Sequence, residues 1–435
     1  IPFVDILLST ALWPLFAPRF WHHHFGKISA AWALLFLVPF AALFGFDLAG
    51  QSFVHALLAE YVPFILLLTA LFTVAGGIHV SGNIKGAPAV NTAILTVGTV
   101  LASFMGTTGA SMLLIRPLIR ANDNRRHQAH VVVFFIFLVS NVGGSLTPLG
   151  DPPLFLGFLK GVDFFWTMKS IFPETLFMAV TLLVIFYLLD SWLYRKEGVL
   201  PLDPTPPTDP PLGIQGKANF ALLGVVVALV LMSGVWKSSV EFDIWGTHVG
   251  LPGLVRDLGL IVVTFVSLAI TSRQVHEDNQ FNWGPMAEVA KLFAGIFLTI
   301  IPVIAMLRAG TDGPFGAVVA TVTGPDGRPD PAMYFWATGV LSSFLDNAPT
   351  YLVFFNTAGG DPQELMTALA PTLAAISMGA VFMGANTYIG NAPNLMVKAI
   401  AEDRGVRMPS FFGYMAWSIA VLVPLFAIVT LIWLR

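Results

Sequence analysis

Long apolar runs recur along the whole chain, separated by short polar stretches rich in basic residues, proline and glycine. Ten of them are of the order of the ~20 residues that a helix needs to cross a bilayer. They lie near 3–18, 28–46, 53–78, 130–160, 171–194, 217–236, 253–271, 286–309, 366–402 and 410–434. Two further apolar stretches, 87–119 and 332–357, carry polar residues at their centres. The pattern predicts an all-α polytopic membrane protein.

Composition narrows the picture. Only 11% of the 435 residues are charged, against ~25% in a soluble domain. The mean hydropathy of +0.78 points the same way. With no cysteine, a disulfide framework, a thiolate metal site and an iron–sulfur cluster are excluded. The chain begins at Ile1 rather than Met, so its natural N-terminus is expected upstream. There is no cleavable signal pattern, and internal spans direct insertion. No nucleic-acid partner is expected, and no cofactor.

Basic residues set the orientation. One set of loops holds a long series from Arg19 and Lys27 through Arg116, Arg120, Arg125, Arg126, Arg195 and Lys196 to Arg404 and Arg407. The opposite loops mix a few bases with many acids, Asp312, Asp326 and Asp330 among them. The first set is read as cytoplasmic. The sorting works only if 87–119 and 332–357 each enter and leave on one face, so both are expected to be re-entrant hairpins. The Pro-rich stretch within 195–216 cannot be helical and reads as an extended linker. It divides the chain into 1–194 and 217–435.

The two parts resemble each other. Val100, Leu101, Ser103 and Phe104 recur as Val340, Leu341, Ser343 and Phe344. Gly144, Thr147, Gly150 and Pro153 recur as Gly384, Thr387, Gly390 and Pro393, at the same shift of 240. Upstream, Glu60 aligns with Glu288. Each part would hold about five transmembrane helices plus one hairpin. An odd number of crossings turns the second copy upside down, as in the inverted repeats of secondary transporters, whose site lies at the repeat interface.

Four polar breaks interrupt the apolar pattern at depth. Two are hairpin tips: Gly106-Thr107-Thr108-Gly109 and Asp346-Asn347-Ala348-Pro349. The other two lie mid-span, at 140–153 and 384–394, and predict discontinuous helices. Thr147 precedes a proline, which pushes it away from helical geometry. Asp151-Pro152 and Asn391 with Pro393 read as fresh helix starts. Unwound backbone at membrane depth must be satisfied by protein or a wet cavity, and its oxygens suit a small hard cation.

Asp151 and Asp346 stand out, because a carboxylate at bilayer depth costs roughly 2.5–3.5 kcal/mol on insertion scales. Each could bind Na⁺ when ionised and carry H⁺ when neutral; simple helix capping is the plainer role. Thr107, Thr108, Asn141, Ser145, Thr147, Asn347, Asn386, Thr387, Asn391 and Asn394 are the candidate neutral ligands, with capping or helix–helix bonding as the alternative. His22-His23-His24 is read as an interfacial anchor in a short basic loop rather than a metal site. Glu60 and Glu288 are expected to reach water or to pair with a base such as Lys291, with a part in proton relay as the lesser alternative. No phosphate loop supports ATP-driven transport.

With these residues in hand, the chain resembles the ion transporter superfamily. That group includes NhaD-type sodium/proton antiporters, ArsB-type arsenite pumps, and citrate and dicarboxylate/sodium symporters. The resemblance spans about 28–434. It is carried by Ser-Asn-Val-Gly-Gly-Ser-Leu-Thr-Pro-Leu-Gly-Asp at 140–151 and Ser-Ser-Phe-Leu-Asp-Asn-Ala-Pro at 342–349, both similar to the NhaD-type pattern. It implies ion binding at the two aspartates and nearby hydroxyls, a homodimer, and an elevator-like moving domain that carries the hairpins and broken helices. The Ser-Asn-Thr triplets that dicarboxylate symporters carry at their hairpin tips are absent, and a hairpin aspartate would repel an anion. The expected activity is Na⁺ or Li⁺ exchange against H⁺ across a bacterial plasma membrane. Arsenite export or Na⁺-coupled di- or tricarboxylate import on the same fold is the first alternative. An intramembrane aspartyl enzyme is a remote one.

Overall fold

The computed structural model describes residues 2–82, 84–198, 213–325 and 327–435. Among them, seven helices are long and apolar enough to cross a membrane, and an eighth span is the bent pair Gly284–Thr299 and Ile301–Arg308. The protein is a multi-pass, mostly helical membrane protein. Small β elements qualify the all-α expectation. Glu241–Ile244 pairs antiparallel with Thr247–Gly250 through a two-residue turn, Trp245-Gly246, with positive φ at both positions. His79–Ser81 pairs with Gly213–Gln215.

Most spans fall where the apolar runs place them, with instructive differences at the ends. The helix expected from 28 begins at Pro18, so the histidines lie in its first turns rather than in a loop. Their ring nitrogens are drawn back to the helix: His23 and His24 Nδ1 bond the carbonyls of Arg19 and Phe20. The span expected from 53 starts at Phe46 and runs to Gly76, with a π-helical stretch at Ala56–Tyr61. Residues 195–197, read as linker, end the helix Trp166–Glu197, where Arg195 and Lys196 suit its C-terminal dipole. The Pro-rich part of the linker, 199–212, lies outside the described residues, as does Asp326. The span 286–309 bends by 42° about Ile300, where Pro302 opens a second helix.

Each of the two stretches read as hairpins folds as two helices joined by a tight turn. The first joins Pro88–Met105 to Thr107–Ala121 through Gly106, whose φ of +80° favours a residue without Cβ. Its first arm is itself 18 residues and apolar, so length alone would allow a crossing; the charge sorting is what argues for re-entry. The second joins Pro331–Phe344 to Asn347–Thr357. Asp330 caps the first arm by accepting from Met333 N at 3.1 Å, with Pro331 at the first helical position.

Both broken helices also form. The first is Ala129–Leu138, a 3₁₀ turn at Val142–Ser145, then Pro152–Leu159. The second is Ala370–Met383, a 3₁₀ turn at Gly384–Asn386, then Ala392–Asp403. Residues 130–139 and 372–385 are buried on every side, as expected of helices apolar all round at the centre of a bundle. Outer helices such as Pro18–Phe44 and Leu251–Ile270 instead expose Leu, Val and Phe, the residues that suit lipid. The distal arm of each hairpin packs on the distal piece of the other half's broken helix. Thr107–Ala121 lies on Ala392–Asp403, and Asn347–Thr357 lies on Pro152–Leu159. This crossed packing brings all four polar breaks together.

Candidate functional site

Asp151 sits at the crossing, 1% exposed. It occupies the N-cap position of Pro152–Leu159, with extended backbone (φ −145°), yet its side chain makes no capping bond. Its carboxylate instead accepts from three neutral donors. Thr107 Oγ1 donates at 2.8 Å, Asn347 Nδ2 at 2.5 Å and Asn391 Nδ2 at 3.2 Å. These come from the first hairpin tip, the second hairpin tip and the second break, so one oxygen pair is shared by both halves. A buried carboxylate must be neutralised, protonated or fully hydrogen-bonded, and among the described residues no cationic side chain bonds it.

Asp346 behaves differently. Its Oδ1 accepts from Ala348 N at 3.0 Å and so caps Asn347–Thr357. It also lines a cavity of ≈ 610 Å³. The cavity's mouth is marked by the exposed residues His22, Asn282 and Pro285, and its floor by the buried Met105, Thr107 and Asp151. Thr108 and Glu288 line it too, whereas Lys and Arg do not. Among the described residues the Thr108 hydroxyl makes no hydrogen bond and remains available to a ligand.

The remaining candidates divide by what they touch. Asn141, Asn391 and Asn394 lock the two breaks to each other. Asn141 Nδ2 donates to Asn394 Oδ1 at 2.8 Å, and Asn391 Nδ2 lies 3.2 Å from Asn141 Oδ1. Asn394 Nδ2 in turn donates to the carbonyls of Gly384 and Thr387 at 2.8 and 2.9 Å. Thr147 and Thr387 tie each break to its own hairpin, donating to the carbonyls of Ser103 and Ser343. Ser145 bonds Thr175 at 2.8 Å, away from the aspartates. Asn386 Nδ2 donates to Ser343 Oγ at 2.9 Å, while its Oδ1 is buried and without a partner.

Two features escaped the reading of the sequence. Ser103 donates to the Gly143 carbonyl at 2.5 Å and so seals the unwound backbone of the first break from the hairpin side, whereas Ser343 bonds Gly339 O of its own helix at 2.7 Å, with the Met383 carbonyl at the end of the preceding helix 3.1 Å away. Their recurrence at the 240 shift was the only signal. Carbonyls expected to be free for a cation are thus partly occupied: those of Gly143, Gly150, Gly384 and Thr387 each accept a protein donor. Of the repeat-related glutamates, Glu60 pairs with a base as expected, although not Lys291, and Glu288, among the described residues, does not. Glu60 pairs with Lys160, and Glu288 accepts from Trp21 Nε1 at 3.0 Å, while Lys291 lies over the Phe25 ring.

Curated relatives are distant. An uncharacterized transporter of Mycobacterium tuberculosis is 23% identical over 396 residues, covering 85% of each chain. An uncharacterized transporter of Synechocystis is 24% identical over 337 residues, covering 72% of this chain and 70% of its own. A 46 kDa membrane protein of Mycobacterium leprae is 25% identical over 309 residues, covering 68% of this chain and 65% of its own. The family model described as "Putative citrate transport" matches residues 1–434, and the chain belongs to that family of transporters.

Proposed function

We propose that the protein is a cation-coupled secondary transporter that works by alternating access, with Asp151 and Asp346 taking up cation or proton in turn. The observation that carries this reading is the position of Asp151: a carboxylate without a cationic partner, held by both hairpin tips and by the opposite break, at the floor of a cavity also lined by Asp346. Arrival of Na⁺ or Li⁺ would supply the missing positive charge, and so would a proton. Competition for the two carboxylates then couples the ions in exchange. Thr107, Thr108, Asn347 and Asn391 are the neutral oxygen-bearing groups at hand for the coordination shell.

The two parts of the chain act as inverted repeats, and the hairpins and broken helices move together against the outer helices. The crossed packing of hairpin arms on the opposite breaks supports a single moving unit. With the mouth of the cavity beside His22 and Asn282, on the side of the basic loops, the described state faces the cytoplasm of a bacterial inner membrane. Pairing of two copies belongs to the same proposal.

A second reading is favoured by the family and by size. A volume of ≈ 610 Å³ falls within the range of small-molecule pockets and far exceeds a bare cation. A citrate-like anion entering an acidic cavity without Lys or Arg must bring its own cations, and the two aspartates would receive them. Proton movement in proteoliposomes with an imposed pH gradient separates the readings. Na⁺ or Li⁺ should dissipate the gradient in the wild type, and Asp346→Asn should abolish the response while the protein still inserts. Gradient dissipation by citrate or arsenite alone would withdraw the antiport reading and the role of Asp346 in it.

A further inference from the structure

A second cavity, of ≈ 630 Å³, lies remote from the aspartates, among the loop 125–130, the end of the helix Trp166–Glu197 and the loop 405–407. Its walls divide by chemistry. Arg125, Arg126, His127 and Arg407 face it on the polar side, and Trp192 and Trp417 on the apolar side. The N-terminus of Ala129–Leu138, which carries no side-chain cap, opens into it and adds a partial positive charge.

The charges in this cavity are not equivalent. Arg125 is buried and bound to Asp190 at 2.6 Å and to Glu197 at 3.3 Å, so both carboxylates facing it are engaged. His130 also bonds Asp190, at 2.8 Å. Arg125 Nη2 is nevertheless buried without a hydrogen-bond partner. An orphaned guanidinium nitrogen in a buried site is costly, and an acceptor oxygen from a ligand would satisfy it. Arg126 and Arg407 are exposed, and among the described residues neither forms an ion pair. They provide the net positive charge.

The apolar side identifies the kind of ligand. Trp192 is 57% exposed and continues an outward-facing row of Tyr187 and Leu188 on the same helix. Arg195 and Lys196 follow it one turn on, and Lys196 lies 5.1 Å from the Trp192 ring. Tryptophan next to bases at a helix end marks the membrane–water interface. A free phosphate has no use for this apolar wall, whereas a phosphate attached to acyl chains fills both. From this we infer that the pocket is a binding site for the phosphate headgroup of an anionic phospholipid, with its chains descending along the Trp192 face. The inference does not rest on the identity of the cargo.

The test is a titration of the purified full chain in detergent with phosphatidylglycerol or phosphatidylcholine, read by native mass spectrometry. The wild type should prefer phosphatidylglycerol. Arg126→Gln should weaken it about fivefold, and Arg126→Gln with Arg407→Gln about 25-fold, on the order of what each basic residue near a membrane surface contributes. Arg273→Gln, an exposed charge on another loop, should leave it unchanged. Brominated phosphatidylglycerol should quench tryptophan fluorescence more than brominated phosphatidylcholine, and Trp192→Phe with Trp417→Phe should remove that difference, a readout independent of the arginine variants. Equal affinity for the two lipids, or an undiminished preference in the double variant, overturns the inference. Displacement of phosphatidylglycerol by millimolar inorganic phosphate also overturns it, in favour of a soluble anion.

Discussion

The two broken helices are built alike and equipped differently. In each, a threonine hydroxyl reaches back to a serine carbonyl on the adjacent hairpin; in the first, that serine's hydroxyl also holds the Gly143 carbonyl of the break, whereas Ser343 Oγ bonds Gly339 O within its own helix. In each, a proline in the first turn restarts the helix after extended backbone at the N-cap position. The cap residue is Asp151 in the first break and Asn391 in the second. The hairpin tips differ in the opposite sense, with Gly106 in the first and Asp346 in the second. A shared scaffold therefore places one carboxylate on a break and the other on a hairpin. The break carboxylate collects donors from both halves, while the hairpin carboxylate caps its own helix and lines the cavity. Backbone repair is what the two parts have in common, and charge is what sets them apart.

The strongest way to break this comparison is to exchange the charges. Asp151→Asn should lower transport at least about a hundredfold, the scale of charge-assisted hydrogen bonds lost at a buried site. Adding Asn391→Asp should not restore it, because Thr107 and Asn347 both direct their donors at position 151. Initial rates in proteoliposomes decide the matter, and recovery to half of wild type would mean that the two positions are interchangeable.

A smaller effect tests the packing. A Cβ on Gly144 would come within 2.6 Å of Thr107 Cγ2 and 2.9 Å of the Gly150 carbonyl, whereas on Gly384 the nearest atom is Asn141 Oδ1 at 3.1 Å. Gly144→Ala should destabilise by about 2–3 kcal/mol and Gly384→Ala by about 1 kcal/mol or less, measured as thermal unfolding in detergent. Equal losses would show that the first break is no tighter than the second. The mildest comparison concerns the two threonines. Thr147→Val and Thr387→Val should each cost about 1–2 kcal/mol and by similar amounts, since each removes the bond to a serine carbonyl and also leaves break amides without their acceptor, Leu149 N in the first and Ile389 N and Gly390 N in the second. A large inequality would show that only one of the ties matters.

Much of the architecture was legible because its signals are local. Apolar run length marks a span, and Gly106 and Pro152 interrupt helices whatever surrounds them. The helix interruptions at 106, 345–346, 139–151 and 384–391 therefore fall where the sequence places them. Less was legible at helix ends. Basic and histidine-rich turns at 19–24 read as loop, yet they continue a helix whose polar start lies outside the apolar run. The candidate site residues were mostly the right polar groups with mixed duties. Ser145 and Thr147 differ little in sequence from Thr107, but only Thr107 meets a carboxylate.

The sequence by itself determined that this chain spans a membrane, where its helices are interrupted, and that two acids lie at those interruptions. Each of these follows from residues within one helix length of each other. Only the tertiary structure decided that Asp151 becomes the shared acceptor while Asp346 remains a cap at the cavity wall. The donors to Asp151 from the second part lie 196 and 240 residues away, brought to it by the crossed packing of each hairpin on the other half's broken helix. Hydrogen-bond direction and burial depend on that packing, and no local pattern encodes which of two intramembrane acids will receive it.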